Sequence, residues 1–222
     1  MESKVANKIT KDWQRELPKL GINEPMSLLR RVGPLLVGVS LEREFGSRYT
    51  PTFHVHFLGK QSPGMLLSLP TRLRYESGPW SDLPQEIPSS EHEAKYKDAA
   101  QRLVQQAPLS IEGPISISEV VEAYRQDMKT PVGRAEIAQL YRDCIKLLAC
   151  YGLADQARAM LDEIHGIAKD DDEYSRFGGR ESFDREMLES IEQPQKVWDQ
   201  VKESLLQLKI PPRVPVEDFV KD

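Results

Sequence analysis

Residues 34–58 read PLLVGVSLEREFGSRYTPTFHVHFL, and their alternation decides the fold class. Successive side chains of a strand point to opposite faces. From Leu35 onward Val37, Val39 and Leu41 therefore fall on one side, and Ser40, Glu42 and Glu44 on the other. Residues 46–51, GSRYTP, supply turn chemistry. The alternation resumes over 52–58: Phe53, Val55 and Phe57 share one face, His54 and His56 the opposite one. After a second turn, GKQSPG, residues 65–76 read as a third strand with Leu73 and Tyr75 inward and Arg72, Arg74 and Glu76 outward. Pro70 weakens its first half, because proline cannot donate to a ladder. Connections this short predict an antiparallel meander of about three strands.

Working outward, Val5, Ile9, Trp13 and Leu17 recur every four residues and predict a helix over 3–17, with Ser3 as its cap and Pro18 as its stop. Its apolar stripe is the natural cover for the sheet. A short turn of helix is expected at 25–31, with Asn23 capping and Pro25 in the first turn. Residues 77–90, SGPWSDLPQEIPSS, interrupt the pattern, and Trp80 and Ile87 suit a strap that docks.

Helical periodicity governs the rest. Helices are expected at 91–107, at 117–129 behind the capping box Ser116/Glu119, at 132–151 behind Thr130-Pro131 with Gly152 as stop, and at 154–168. A charged loop, KDDDEYSRFGGRE, precedes a further run of Phe183, Met187 and Ile191. Pro194 then marks a kink or a new start, and the tail PPRVPVEDF should run extended. The expected fold is thus α+β: an N-terminal helix packed on a small antiparallel meander sheet, followed by an all-helical C-terminal part. The expected domains are a basic α+β domain at 1–80, a Pro-rich linker or strap at 81–90, and an acidic helical domain with an extended tail at 91–222.

Charge follows the same division. Residues 1–80 hold 12 Lys/Arg against 7 Asp/Glu, and residues 81–222 hold 18 against 28, so a net −5 conceals +5 and −10. No run of about 18 apolar residues exists to span a membrane. The opening MESKVANKITKDW carries charges where a signal peptide needs an apolar stretch, so a soluble, cytoplasmic protein is expected. Cys144 and Cys150 lie six apart in one helix and so face different directions; neither a disulfide nor a metal-type spacing results.

The sharpest local feature is His54-Val55-His56. Side chains two apart on a strand lie about 7 Å from one another on one face, a spacing that can place two imidazoles on one metal ion. With Glu42 and Glu44 on one neighbouring strand and Arg72 and Arg74 on the other, they form a candidate polar sheet face. The segment resembles the histidine-triad pattern, but the third position is Leu58, so the nucleophile that pattern implies has no counterpart. Arg30, Arg31, Arg43, Arg48 and Lys60 form a candidate basic surface for nucleic acid. The hairpin 132–168 resembles one tetratricopeptide repeat at Tyr141, Ile145, Leu148, Gly152, Ala157, Leu161 and Ile164. That resemblance implies antiparallel helices packed closely at Ala157.

No Walker motif, GxSxG elbow or paired-carboxylate motif is present, and no catalytic set can be named. The resulting expectation is a non-catalytic interaction protein without a cofactor: an accessory subunit, regulator or immunity-type protein. Its partner would be another protein, held mainly by the helical half. The alternatives are a metal-dependent enzyme or small-ligand binder using the His54/His56 face, and a nucleic-acid-binding module on the basic N-terminal part.

Overall fold

The computed structural model describes residues 2–59, 67–76, 83–168 and 171–220. Lys60, the rest of the 60–64 turn, the first two residues of the expected third strand, Trp80, residues 81–82 and Asp170 lie outside them. The architecture is the expected one. An N-terminal helix, α1 (Ser3–Glu16), precedes an antiparallel meander of β1 (Gly21–Glu24), β2 (Ser27–Val32), β3 (Leu35–Glu44), β4 (Arg48–Phe57) and β5 (Ser68–Arg72). Two short strands extend it: β6 (Ile87–Pro88) pairs with β4, and β7 (Val216–Glu217) pairs in parallel with β2. Helices α2 (His92–Gln106), α3 (Ile117–Asp127), α4 (Pro131–Ala135), α5 (Ile137–Cys150), α6 (Ala154–Ile167), α7 (Arg180–Glu192) and α8 (Pro194–Gln207) complete the described chain.

The helix expected at 25–31 is instead the β1–β2 hairpin. Pro25 and Met26 form its two-residue turn, since Glu24 pairs with Ser27. Proline presets φ for the first corner of a tight turn, and Met26 takes φ 71°, which the second corner of a type II turn requires. Asn-x-Pro chemistry is common to helix starts and turns, so the local signal was ambiguous. The turn is held from outside: Thr10 on α1 accepts the Met26 N–H at 2.8 Å, and Leu41 N–H donates to Met26 O at 2.8 Å. Gly38 lies opposite Leu29, where a Cβ would stand 2.3 Å from Leu28 O, so β2 and β3 approach too closely there for any side chain. At the start of α1 the cap is Glu2 without a side-chain bond, and Ser3 is already helical.

The chain divides into two compact units, and the division differs from the expected boundary at 81–90. One comprises Met1–His56, Leu66–Ile115 and Lys209–Val220; the other comprises Phe57–Met65, Ser116–Leu208 and Lys221–Asp222. Helix α2 belongs with the sheet because it packs on α1. The tail returns because Arg31 N–H donates to Pro215 O and Gly33 N–H to Glu217 O. The charge boundary at residue 80 therefore does not coincide with the structural one.

In the sheet unit, α1 lays Ala6, Ile9 and Trp13 against the sheet face that carries Tyr49. Trp13 and Tyr49 meet edge to face at 6.5 Å. In the helical unit α5 is the central element, touching α3, α4, α6, α7 and α8. Its burial on all sides matches its wide apolar face. Gly152, at φ 72°, ends the α5 region and lets α6 fold back, with Ala157 fully buried as the tetratricopeptide resemblance implies. The capping box at Ser116/Glu119 forms, with both reciprocal bonds present. Thr130 caps α4 by accepting the Gly133 N–H, and a break at Glu136 separates α4 from α5 where one helix was expected. The expected charged loop carries a 3₁₀ turn over Asp171–Phe177, and Tyr174 packs on Phe183 at 5.1 Å.

Candidate functional site

The polar face proposed around His54 and His56 is not a solvated one. Alternation places His54 and His56 together on β4 as read, and β4 begins at Arg48, so Thr50, expected in a turn, joins Thr52 on the same face; all four are buried, each histidine only 2% exposed. Glu42 and Arg72 do come together, in an ion pair of 2.9 Å at the outer end of the face, where Thr52 pairs with Arg72. Arg72 and Arg74 are exposed, and Glu44 is half-buried. Arg72 lies level with Thr52, about 7 Å along the strand from His54 and about 13 Å from His56, and its guanidinium is taken up by Glu42 at the rim. Among the described residues no group of three or more His, Cys, Asp and Glu side chains is placed to hold a metal ion.

Burial leaves His54 Nδ1, Thr50 Oγ1 and Thr52 Oγ1 without hydrogen-bond partners. Burial, together with the nearby His56, pushes the His54 imidazole down to about 4, so it is neutral at physiological pH. A neutral imidazole enclosed by other side chains is an interior packing group.

The candidate basic surface likewise separates. Arg30 is fully buried rather than displayed. Its guanidinium bonds Ser110 O at 3.0 Å, Gly113 O at 2.6 Å and the Glu217 carboxylate, tying the 110–113 loop and the tail to β2. Arg31 turns to Gly33 O at 2.8 Å. Arg43 and Arg48 are exposed near the β3–β4 turn, where Arg48 pairs with Glu86 at 3.0 Å.

The denser polar arrangement lies elsewhere, between α1 and α2. Trp13 Nε1 donates to Tyr49 Oη at 3.2 Å, Tyr49 Oη lies 2.8 Å from His92 Nδ1, and His92 Nε2 lies 3.2 Å from Asp12 Oδ2. One proton arrangement satisfies every atom: Tyr49 O–H donates to Nδ1, and Nε2–H donates to the carboxylate. Burial lowers the His92 pKa despite the opposing pull of Asp12, which favours this neutral tautomer. Burial alone would raise Asp12, but bonds from Lys8 and His92 outweigh it and hold the carboxyl below its usual range. Burial also raises Tyr49, so its phenol stays protonated. Tyr49 has no solvent exposure, and the chain functions as a brace between helix and sheet.

Asp12 is also the floor of an open groove of about 600 Å³, lined by Lys4, Asn7, Lys8, Lys11, Arg15, Glu93 and Tyr96. Lys8 pairs with Asp12 at 3.0 Å and with Glu93, and Arg15 pairs with Asp12 at 2.6 Å. Lys4, Lys8, Lys11 and Arg15 stand at i, i+4, i+7 and i+11, one stripe of α1. That spacing is visible in sequence beside the apolar stripe. The wall supplied by Glu93 and Tyr96 is not, because it depends on α2 docking about 80 residues later.

Buried ionisable groups in the helical unit are also internally matched. Lys146, 1% exposed, meets Glu186 at 2.8 Å, Gln200 Oε1 at 3.1 Å and Gly59 O at 3.2 Å. Burial raises both thiols, Cys150 to about 12 and Cys144 well above its ordinary value, so neither is a thiolate at neutral pH. No described helix is long and apolar enough to cross a membrane. No protein-family model matches the chain, and neither a curated protein nor a solved structure matches it.

Proposed function

We propose that this is a non-catalytic interaction protein, an accessory subunit, regulator or immunity-type protein, that holds a partner protein through its helical unit. The observation that supports the reading is the surface of that unit. Leu206 is 79% exposed and Val132 68%, and Ile167 and Leu188 are also exposed. They are set in a surface with an excess of acid: residues 116–208 contain 12 Lys/Arg against 19 Asp/Glu, a net −7. A protein interface joins an apolar centre to a polar rim, and these side chains are what the unit offers for such a centre. The partner that fits is a protein with a basic face, steered by the acidic field and anchored by apolar contact.

Affinity purification from the native source identifies that partner, and its association rate is then followed against ionic strength. The proposal expects a rate that falls as salt rises. A rate independent of salt removes the electrostatic part of the argument. A partner held by the sheet unit removes the remainder.

A further inference from the structure

Between α1 and α2 the sheet unit carries charge without an internal use for it. Asp12 has both oxygens engaged: Oδ1 by Arg15, and Oδ2 by Lys8 and His92. Glu93 is engaged by Lys8. Lys8 and Arg15 thus balance the two carboxylates of the groove, and its excess of positive charge rests on Lys4 and Lys11. Lys4 and Lys11 form no ion pair among the described residues, and Arg15 offers Asp12 only Nη1, which leaves the rest of its fork open. Lys8 and Arg15 side chains are 58% and 72% exposed, so the stripe faces solvent.

The geometry points to a binding site for a compact polyphosphate anion in this groove. Three observations combine. The cations are strung along one helix face, and a rise of 1.5 Å per residue puts Lys4 and Lys11 about 10 Å apart and Lys11 and Arg15 about 6 Å apart. A single phosphate cannot bridge cations this far apart, whereas a chain of linked phosphates bridges neighbouring ones along the stripe. The volume of about 600 Å³ falls within the range of small-ligand sites and is bounded on the α2 side by Glu93 and Tyr96. Those boundaries favour a short anion over a long strand. Finally, the groove floor is fixed in advance: Asp12 is held by the His92–Tyr49–Trp13 chain, and it in turn orients Lys8 and Arg15. A preorganised cation spends less of its binding energy on being ordered. Arg15 supplies the planar fork that suits phosphate oxygens.

This site lies in the sheet unit and does not depend on partner binding by the helical unit. The phosphate chain can come from a nucleoside triphosphate or from inorganic tripolyphosphate. Titration calorimetry of the full chain at low salt, with each compound in turn, tests the assignment. Lys4→Gln/Lys11→Gln and Arg15→Gln variants serve as comparisons, each checked for an unchanged circular dichroism spectrum. Saturable binding of either compound, weakened at least tenfold in the double variant, is the expected result. Binding of the nucleotide alone adds the nucleoside to what is recognised, and equal binding limits recognition to the phosphates. Absence of binding to both, or binding that the variants leave unchanged, overturns the proposal. Tight binding of a single-stranded oligonucleotide with none of either small anion also overturns it, in favour of a nucleic-acid surface.

Discussion

His54 provides a measure of how far the β4 face is interior. Its imidazole titrates near 4 in the folded chain against about 6.5 when unfolded. Between those values the unfolded chain binds a proton that the folded chain refuses, so stability falls as pH is lowered through this window. Above pH 6.5 neither state is protonated there and the effect vanishes; below about 4 both are, and the loss is complete. The gap is about 2.5 units, and at 1.36 kcal/mol per unit the total loss is roughly 3 kcal/mol. His54→Leu removes this component. It also removes the unpartnered Nδ1, so its stability at pH 7.5 should be close to that of the parent, within about 1 kcal/mol. Urea unfolding followed by circular dichroism at steps from pH 7.5 to 4 supplies both slopes. The parent should lose about one proton's worth of slope more than the variant, whatever His92 adds to each. Parallel slopes, or an imidazole that titrates near 6.5 by NMR, would refute the reasoning and return the histidines to solvent.

The other predictions concern the packing that positions the two units' elements. Arg30→Ala leaves Ser110 O, Gly113 O and the Glu217 carboxylate without their donor. Breaking a buried pair costs about 3–5 kcal/mol, and the partial exposure of Glu217 places the expected loss toward the lower end. Hydrogen exchange across 213–220 should speed up as the tail detaches; a tail that stays protected contradicts the assignment. Gly38→Ala forces a Cβ against the Leu28 carbonyl and should cost about 1–3 kcal/mol in thermal or urea unfolding, with an unaltered midpoint as the contrary result. Ser116→Ala removes the cap of α3 and should cost about 1 kcal/mol, whereas the same change at the neighbouring Ser118 should cost less.

The parts of the fold that were legible are those where polarity alternates with the geometry. Strands β3 and β4 announce themselves through Val37, Val39 and Leu41 and through Phe53, Val55 and Phe57. Strand β2 does not, because Leu28, Leu29, Arg30 and Val32 are all buried and its pattern carries no period of two. Arg30 is tolerated there through Glu217, 187 residues away, and through the Ser110 and Gly113 carbonyls, relations no local window contains. The same limit applies to sites. Alternation correctly groups His54 with His56 but does not say whether that face meets water, and the structure closes it. The chain from Asp12 to His92 to Tyr49 joins residues 80 and 43 positions apart, so neither helical spacing nor strand alternation could reveal it. The cation stripe on α1 was written plainly at Lys4, Lys8, Lys11 and Arg15. What sequence lacked was the packing of α2 on α1, which turns an ordinary solvated helix face into a groove.

The central claim is that a protein partner is held by the outer surface of the helical unit. It is tested most directly by measuring affinity for the purified partner with Leu206→Glu and Val132→Glu, two substitutions at side chains exposed enough that folding should survive them. Each variant is compared with Phe45→Glu at the fully exposed β3–β4 turn of the sheet unit. The account predicts at least a tenfold loss for one or both helical-unit variants and none for Phe45→Glu. Unchanged affinity in both helical-unit variants, with loss only at Phe45, would contradict it.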